Sequence, residues 1–251
     1  MSIKKETIPN LLFSAKKNND ACRIEMMRDL QVIKDLQIIN KKTLVLEIGC
    51  GDGSFMEVLQ QEFECKIIGL DIASQAVVMA KKKGLRVRKW DIEKPFPFLK
   101  NSFDLIISRQ VIEHIYDPDI MLDNVHKVLK KEGTLFLTTP NLSVWFNRLI
   151  LLLGFQPFYT EISTRDKTLG LSFTKKFTPN RQPIGHIRVF TAKALEDFIR
   201  FHNFKITFKK GVGVSYFPLW FRIINKIFEN FYSLAPDLIV CLVKKNGEEE
   251  K

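Results

Sequence analysis

The chain alternates between two hydrophobic rhythms. Thr43-Leu44-Val45-Leu46-Glu47-Ile48 is a continuous β-prone run that ends in glycines, the pattern of a strand buried in a parallel sheet. A helical stretch over 54–61 follows it. The alternation then recurs: a strand over 66–71, a helix over 74–83, strands over 86–91 and 103–108, a helix over 118–130, and a strand over 133–139 stopped by Pro140. Ahead of the first strand, Ile24, Met27, Leu30, Ile33 and Leu36 fall at helical spacing and predict a helix over 20–36. Strands alternating with helices at this spacing imply βαβ units and a parallel sheet covered on both faces.

Residues 141–185 break the rhythm. They open with an apolar stretch in which Trp145, Phe146, Leu149 and Leu153 share one helical face and need something to cover. They then turn basic, with Arg165, Lys167, Lys175, Lys176 and Arg181 against Glu161 and Asp166. The α/β pattern resumes with a helix over 191–202 capped by Thr191, a strand over 204–209, an aromatic stretch over 216–232 and a last strand over 238–243. The expected organisation is one domain: an N-terminal helical segment (1–42), a core carrying the glycine loop (43–140), an insert forming an acceptor lid (141–185), the C-terminal part of the sheet (186–245) and a disordered tail (246–251).

Composition adds one departure from an ordinary globular protein, a net charge of +11. Nucleic acid, an anionic membrane surface, an acidic substrate and lysines spread over exposed faces all fit it. Cys22, Cys50, Cys65 and Cys241 have no metal-ligand spacing and read as reduced thiols of a cytosolic protein. Residues 1–17 hold too short an apolar cluster for a signal peptide, and no run of about 18 apolar residues occurs. A cytoplasmic protein is expected, with peripheral contact to a membrane left open.

The chemistry concentrates in Glu47-Ile48-Gly49-Cys50-Gly51-Asp52-Gly53, between the first strand and the helix after it. Glycines there let a ligand approach the main chain, and the helix start offers unpaired N–H groups. Asp71 closes the second strand, where a carboxylate can accept ribose hydroxyls; its removal is expected to weaken that ligand with little effect on folding. A phosphate-binding loop would carry Lys-Ser/Thr after its glycines, and a dinucleotide loop would be spaced G-x-G-x-x-G. Neither is present. Glu47 beside the loop is unsuited to a pyrophosphate but suits a ligand with an ammonium and a sulfonium. S-adenosylmethionine (SAM) is such a ligand.

These residues, with Gly69-Leu70-Asp71, Trp90-Asp91, Phe103-Asp104-Leu105-Ile106, Glu113-His114, Leu129-Lys130-Lys131-Glu132-Gly133 and Gly185-His186-Ile187-Arg188-Val189-Phe190-Thr191, make the chain resemble the class I SAM-dependent methyltransferases. The likeness is greatest to the small-molecule group that includes ubiquinone-pathway O-methyltransferases. It implies a Rossmann-like, doubly wound seven-stranded sheet with its last strand antiparallel. It implies that Glu47, Gly49 and Gly51 line the methionine part of SAM, with Cys50, Gly53 and Ile72 also at the cofactor. By the same resemblance Asp71 binds the ribose, Asp91 and Ile92 hold the adenine edge, and Arg109 and Gln110 face the reactive end.

Glu113, His114 and His186 are the candidate acid–base residues, His186 at the mouth of the site. Some relatives place a divalent metal on E-x-x-E-H and a distant His. Here Gln110 stands for the first acid, so Glu113, His114 and His186 would remain as ligands and no metal is expected. Structural readings stand beside these: Asp91 as a turn residue, Arg109 as a surface charge, Glu113 and His114 as an ordered loop, His186 as a helix-entry residue. His126 and His202 fall on helices and need no functional account.

The expected activity is methyl transfer from SAM to a small-molecule or lipid-like acceptor, at oxygen. A non-catalytic SAM-binding member of the fold is the alternative. A nucleotide-dependent oxidoreductase is disfavoured by the glycine spacing and Glu47. A nucleic-acid methyltransferase, and hence a nucleic-acid partner, is disfavoured because Ser108-Arg109-Gln110-Val111 is not an Asn-Pro-Pro-Tyr-like motif.

Overall fold

The computed structural model describes residues 20–178, 180–213 and 219–245. Readings made on residues 1–17, on Tyr216 to Pro218 and on the 246–251 tail lie outside the described residues. The strands are β1 (Leu44–Ile48), β2 (Lys66–Asp71), β3 (Val87–Lys89), β4 (Phe103–Arg109), β5 (Leu129–Pro140), β6 (Phe204–Val212) and β7 (Asp237–Lys244). They form one sheet in the order β3-β2-β1-β4-β5-β7-β6. β1 to β5 pair in parallel, and β7 runs antiparallel to both β5 and β6. This is the doubly wound Rossmann-like sheet with an antiparallel last strand.

Seven α-helices are described: α1 (Asp20–Leu36), α2 (Ser54–Phe63), α3 (Ser74–Lys82), α4 (Pro118–Val128), α5 (Trp145–Leu152), α6 (Ala192–Phe201) and α7 (Leu219–Phe228). Alternate residues of each strand face opposite sides. Leu46, Ile48, Ile106 and Leu137 pack with Met121, Leu122 and Val125 of α4 and with Leu195 of α6. On the other face Val45, Leu105, Ile107 and Phe136 pack with Ile33, Met56, Leu59 and Val77 from α1 to α3. Each such side chain contributes about 1.5–3 kcal/mol by leaving water. Caps fix where two helices begin: Asp117 accepts a hydrogen bond from Ile120 N at 3.0 Å ahead of Pro118, and Thr191 accepts one from Ala194 N at 3.1 Å.

Four elements differ from their sequence patterns. β3 is shorter than 86–91 because its neighbour β2 ends at Asp71, opposite Lys89, leaving nothing beyond to pair with. β5 begins earlier than 133: Leu129 pairs with Phe103, and the register then shifts so that Thr134 meets Leu105, an irregularity that absorbs Lys130 to Gly133. Residues 219–228, read as an aromatic stretch, form a helix. On α1 the buried face is Asp29, Leu30, Val32 and Ile33, while Ile24 and Met27 are exposed. The buried face holds Leu30 and Ile33 of the apolar stripe together with Asp29, which is paired with Arg28 and Arg109. His202 follows α6 and holds it to α4, with Nδ1 3.0 Å from Asp123 and Nε2 3.0 Å from Asp119. Among the described residues no helix is long and apolar enough to cross a membrane.

Candidate active site

Parallel strands bring their carboxyl ends to one edge, where ligands of such sheets bind. At that edge the glycine loop folds over the end of β2: Gly49 N and Cys50 N both donate to Leu70 O, at 2.8 and 3.1 Å. Gly51 is left-handed (φ +56°), and its N–H donates to Asp71 Oδ2 at 2.8 Å. Asp71 Oδ1 accepts from Ala73 N, also at 2.8 Å. Asp71 therefore shapes the loop, which weighs against the expectation that folding is indifferent to it.

The glycines serve different ends. A Cβ on Gly49 would collide with Val111 and one on Gly53 with Leu85, so both allow close packing. A Cβ on Gly51 would meet no atom within 4 Å. That opening, bounded by Asp71, is where a ligand can lie on bare backbone. Cys50 is buried against Gly69, and burial first, then Glu47 and Asp71, push its thiol far up, so it lines the loop as an inert group. Ile72 is half-buried next to Asp71.

Glu47, at the end of β1, is 3% exposed. Burial pushes its carboxyl up to about 8; Arg109 counteracts this, while Asp71 and Asp52 add to it. Its Oε2 has no hydrogen-bond partner among the described residues. Arg109 ends β4, donating from Nε to Asp29 Oδ2 at 2.8 Å and lying 4.1 Å over the Phe55 ring. Asp29 also accepts from Arg28, whose guanidinium reaches Gly213 O at 2.8 Å. Arg109 is thus no loose surface charge. The sequence reading missed Asp29; the signal was an acid lying between the apolar positions of a helix.

At the sheet's other side of this edge, Asp91 follows β3, where its carboxylate accepts from Glu93 N at 3.2 Å and its carbonyl from Lys94 N at 3.0 Å. Ile92 lies in the core beside Phe96. Gln110 is left-handed (φ +53°) and turns its amide to Thr138 Oγ1 at 3.4 Å.

A second cluster lies beyond β4. Glu113 and His114 occupy a 3-10 turn, Ile112–His114. Glu113 is fully buried and accepts from Thr139 Oγ1 at 3.0 Å. Its carbonyl accepts from Ile187 N at 2.7 Å and Arg188 N at 3.1 Å, drawing the chain just beyond the insert onto the turn. His114 Nδ1 is 3.1 Å from Gly185 O, and His186 Nδ1 is 3.1 Å from Tyr159 O. A carbonyl only accepts, so both rings carry a proton on Nδ1, which in the neutral ring leaves the lone pair on Nε2. The rings lie 4.9 Å apart, and one ligand atom from each of Glu113, His114 and His186 falls within 4.8 Å of the others. His114 and His186, 72 positions apart in the chain, thereby share one small site.

The insert is anchored from inside. Asn147 is buried, donating to Leu142 O and Phe158 O, both at 3.0 Å. Trp145 stacks on Phe221 and Phe228 of α7, at 5.2 and 5.1 Å, and donates to Asn225 Oδ1 at 2.7 Å. Of the face that needed something to cover, Trp145 and Phe146 pack on α7, whereas Leu149 and Leu153 are exposed.

Residues 23–208 match the family model of a methyltransferase domain. A ubiquinone biosynthesis O-methyltransferase of Pelagibacter ubique is 29% identical over 142 residues, covering 53% of this chain and 58% of that protein. A malonyl-[acyl-carrier protein] O-methyltransferase of Priestia megaterium is 26% identical over 232 residues, covering 86% and 80%. The chain thus spans little more than half the length of the first relative. A solved SAM-dependent methyltransferase of Thermotoga maritima, described as a possible histamine N-methyltransferase, superposes with a TM-score of 0.60 at 18% identity, covering 94% of this chain and all of that one.

Proposed function

The chain belongs to the methyltransferase-domain family, SAM-dependent enzymes on a Rossmann-like sheet, and from that premise we propose that it methylates an oxygen of a small-molecule or lipid-like acceptor. The reading rests above all on Glu47, a buried carboxylate with an unpartnered oxygen beside the open backbone of Gly51. Such a group needs a cation to ionise at neutral pH. The ubiquinone-biosynthesis and malonyl-[acyl-carrier protein] O-methyltransferases described above support oxygen as the acceptor atom.

When bound, SAM supplies a methyl group on a sulfonium, already an excellent leaving group. The protein's task is alignment and exclusion of water. Glu47 would neutralise the ammonium, Gly51 admit the ligand against the main chain, and Asp71 hold the ribose. Asp91 and Ile92 would edge the adenine, with Gly49, Cys50, Gly53 and Ile72 shaping the cradle and Arg109 and Gln110 at the reactive end. His186 Nε2 would take the acceptor's hydroxyl proton, with Glu113 and His114 positioned beside it. Residues 141–185 would wall the acceptor. Calorimetry with SAM and S-adenosylhomocysteine, followed by a methyl-transfer screen over lipid, quinone and sugar-lipid acceptors, tests the proposal; absence of SAM binding overturns it.

Three outcomes are expected. His186→Ala should leave SAM affinity unchanged and lower kcat about a hundred-fold or more, removing the acidic limb of the pH–rate profile; unchanged kcat would take the base away from His186. Affinity for SAM should rise with pH from 6 to 8, by up to about tenfold per unit, because binding below pH 8 must expel the Glu47 proton. Above about 8 the ligand's own ammonium deprotonates and the rise should end. The same proton sets stability without ligand: the folded chain keeps it to about pH 8, the unfolded chain loses it near 4.5, so stability falls as pH rises between them. Titration calorimetry in matched buffers checks the slope, and Glu47→Gln should flatten it.

One observation favours a second reading. Both Nδ1 atoms face carbonyls, the arrangement by which metal-binding histidines are oriented, so Glu113, His114 and His186 fit a divalent cation. It would polarise the acceptor hydroxyl. Loss of turnover, but not of SAM binding, on chelation would support this reading, and turnover indifferent to chelators would dismiss it.

A further inference from the structure

The last turn of α5 and the residues after it stand out from the protein as an apolar edge. Leu152 is 82% exposed and Leu153 72%, with Leu149, Leu151 and Phe155 also exposed. Scattered apolar side chains are ordinary on a surface, but five within seven residues are not. The edge is rigidly mounted, because Trp145 at the start of α5 is stacked on α7 and bonded to Asn225. Helix α7 adds exposed Ile223 and Ile227.

Its charge has one sign. Between residues 142 and 160 the only charged side chain is Arg148, and α7 exposes Lys226, with no acid between 142 and 160 or between 219 and 228. Phe155 also packs edge-on against Phe173, 5.2 Å between ring centroids, and Phe173 is itself half exposed. It opens the turn that carries Lys175 and Lys176. An apolar ridge flanked by cations is the form that inserts at the interface of an anionic bilayer, the leucines entering the acyl boundary and the lysines meeting headgroups. A protein partner would more often call for a flatter patch with polar groups to pair.

We propose that this edge docks the protein on an anionic lipid surface. The occupant is the bilayer itself, not a second copy of the chain. If the lipid-like acceptor proposed above is correct, docking has a further consequence: α5 leaves the carboxyl edge of β5, and the same segment returns at Gly185 and His186, so an acceptor dissolved in the membrane would reach the site without crossing water. Docking itself does not depend on that reading.

The test is sedimentation of the full chain with phosphatidylcholine vesicles, with and without phosphatidylglycerol. Wild type should bind the anionic vesicles and be released by salt. Leu152→Glu with Leu153→Glu should reduce binding at least about tenfold, and Lys175→Ala with Lys176→Ala should remove most of the preference for phosphatidylglycerol. Melting temperature and SAM binding by calorimetry should be unchanged in both, which separates a failure here from a failure of the methyltransferase reading. Equal binding by the leucine variant overturns the proposal. So does a wild type that binds no vesicle, or one that forms a dimer which the leucine variant loses without any vesicle binding, since the edge would then belong to a second copy.

Discussion

Gly51→Leu is expected to abolish SAM binding while the protein remains folded. The reason is what surrounds this glycine. A Cβ there would meet nothing within 4 Å, whereas on Gly49 it would meet Val111 and on Gly53 it would meet Leu85. The leucine side chain therefore enters the cleft beside Asp71 and occupies the ligand's volume. Its backbone at φ +56° costs about 1–2 kcal/mol in strain, so a modest drop in melting temperature is expected beside a complete loss of binding. Gly51→Ala carries the same strain with one carbon in the cleft and should retain partial affinity. Calorimetry on both variants decides it; a leucine variant that binds SAM normally would put the cofactor away from this loop.

Asp71→Ala should weaken SAM by roughly 2–3 kcal/mol, about 30- to 160-fold, the loss of charge-assisted hydrogen bonds to two ribose hydroxyls. The variant should also melt lower. Asp71 accepts from Gly51 N and Ala73 N, and leaving those donors without an acceptor costs about 1–3 kcal/mol where they are buried. The melting loss and the binding loss have separate causes, and Asp71→Asn distinguishes them. It keeps one acceptor oxygen for the backbone but no charge, so it should fold nearly as wild type and bind SAM with intermediate affinity. Wild-type affinity in Asp71→Ala, measured well below its melting temperature, would make Asp71 a loop former only and put the ribose elsewhere.

Much of this site is a property of short stretches of chain. β1, the glycine loop, α2 and Asp71 lie within 28 consecutive positions, 44–71, and their placement follows from hydrophobic period and turn chemistry between near neighbours. Periodicity also located α1 with its bounds, and Leu30 and Ile33 of its apolar stripe are buried, but the stripe does not show how far the covered face extends. Ile24 and Met27 fit a helical stripe and face water, while Asp29 is 1% exposed. A helix shows its period in sequence, but the partner it meets decides which face is covered when that partner is an ion pair.

What the sequence by itself determined is the alternating sheet, the glycine loop after its first strand and the acid beside that loop, because each is written in adjacent residues. Tertiary structure alone decided the rest. Asp29 reaches Arg109 across 80 residues, and His186 comes to His114 because Gly185 and Ile187 bond back to the turn at Glu113. Residues 219–228 show themselves as a helix once Trp145 has a place to stack. The exposure of Leu152 and Leu153 belongs here too: an apolar face in sequence says that burial would be favourable, and only the packed chain shows whether anything within the protein is there to bury it.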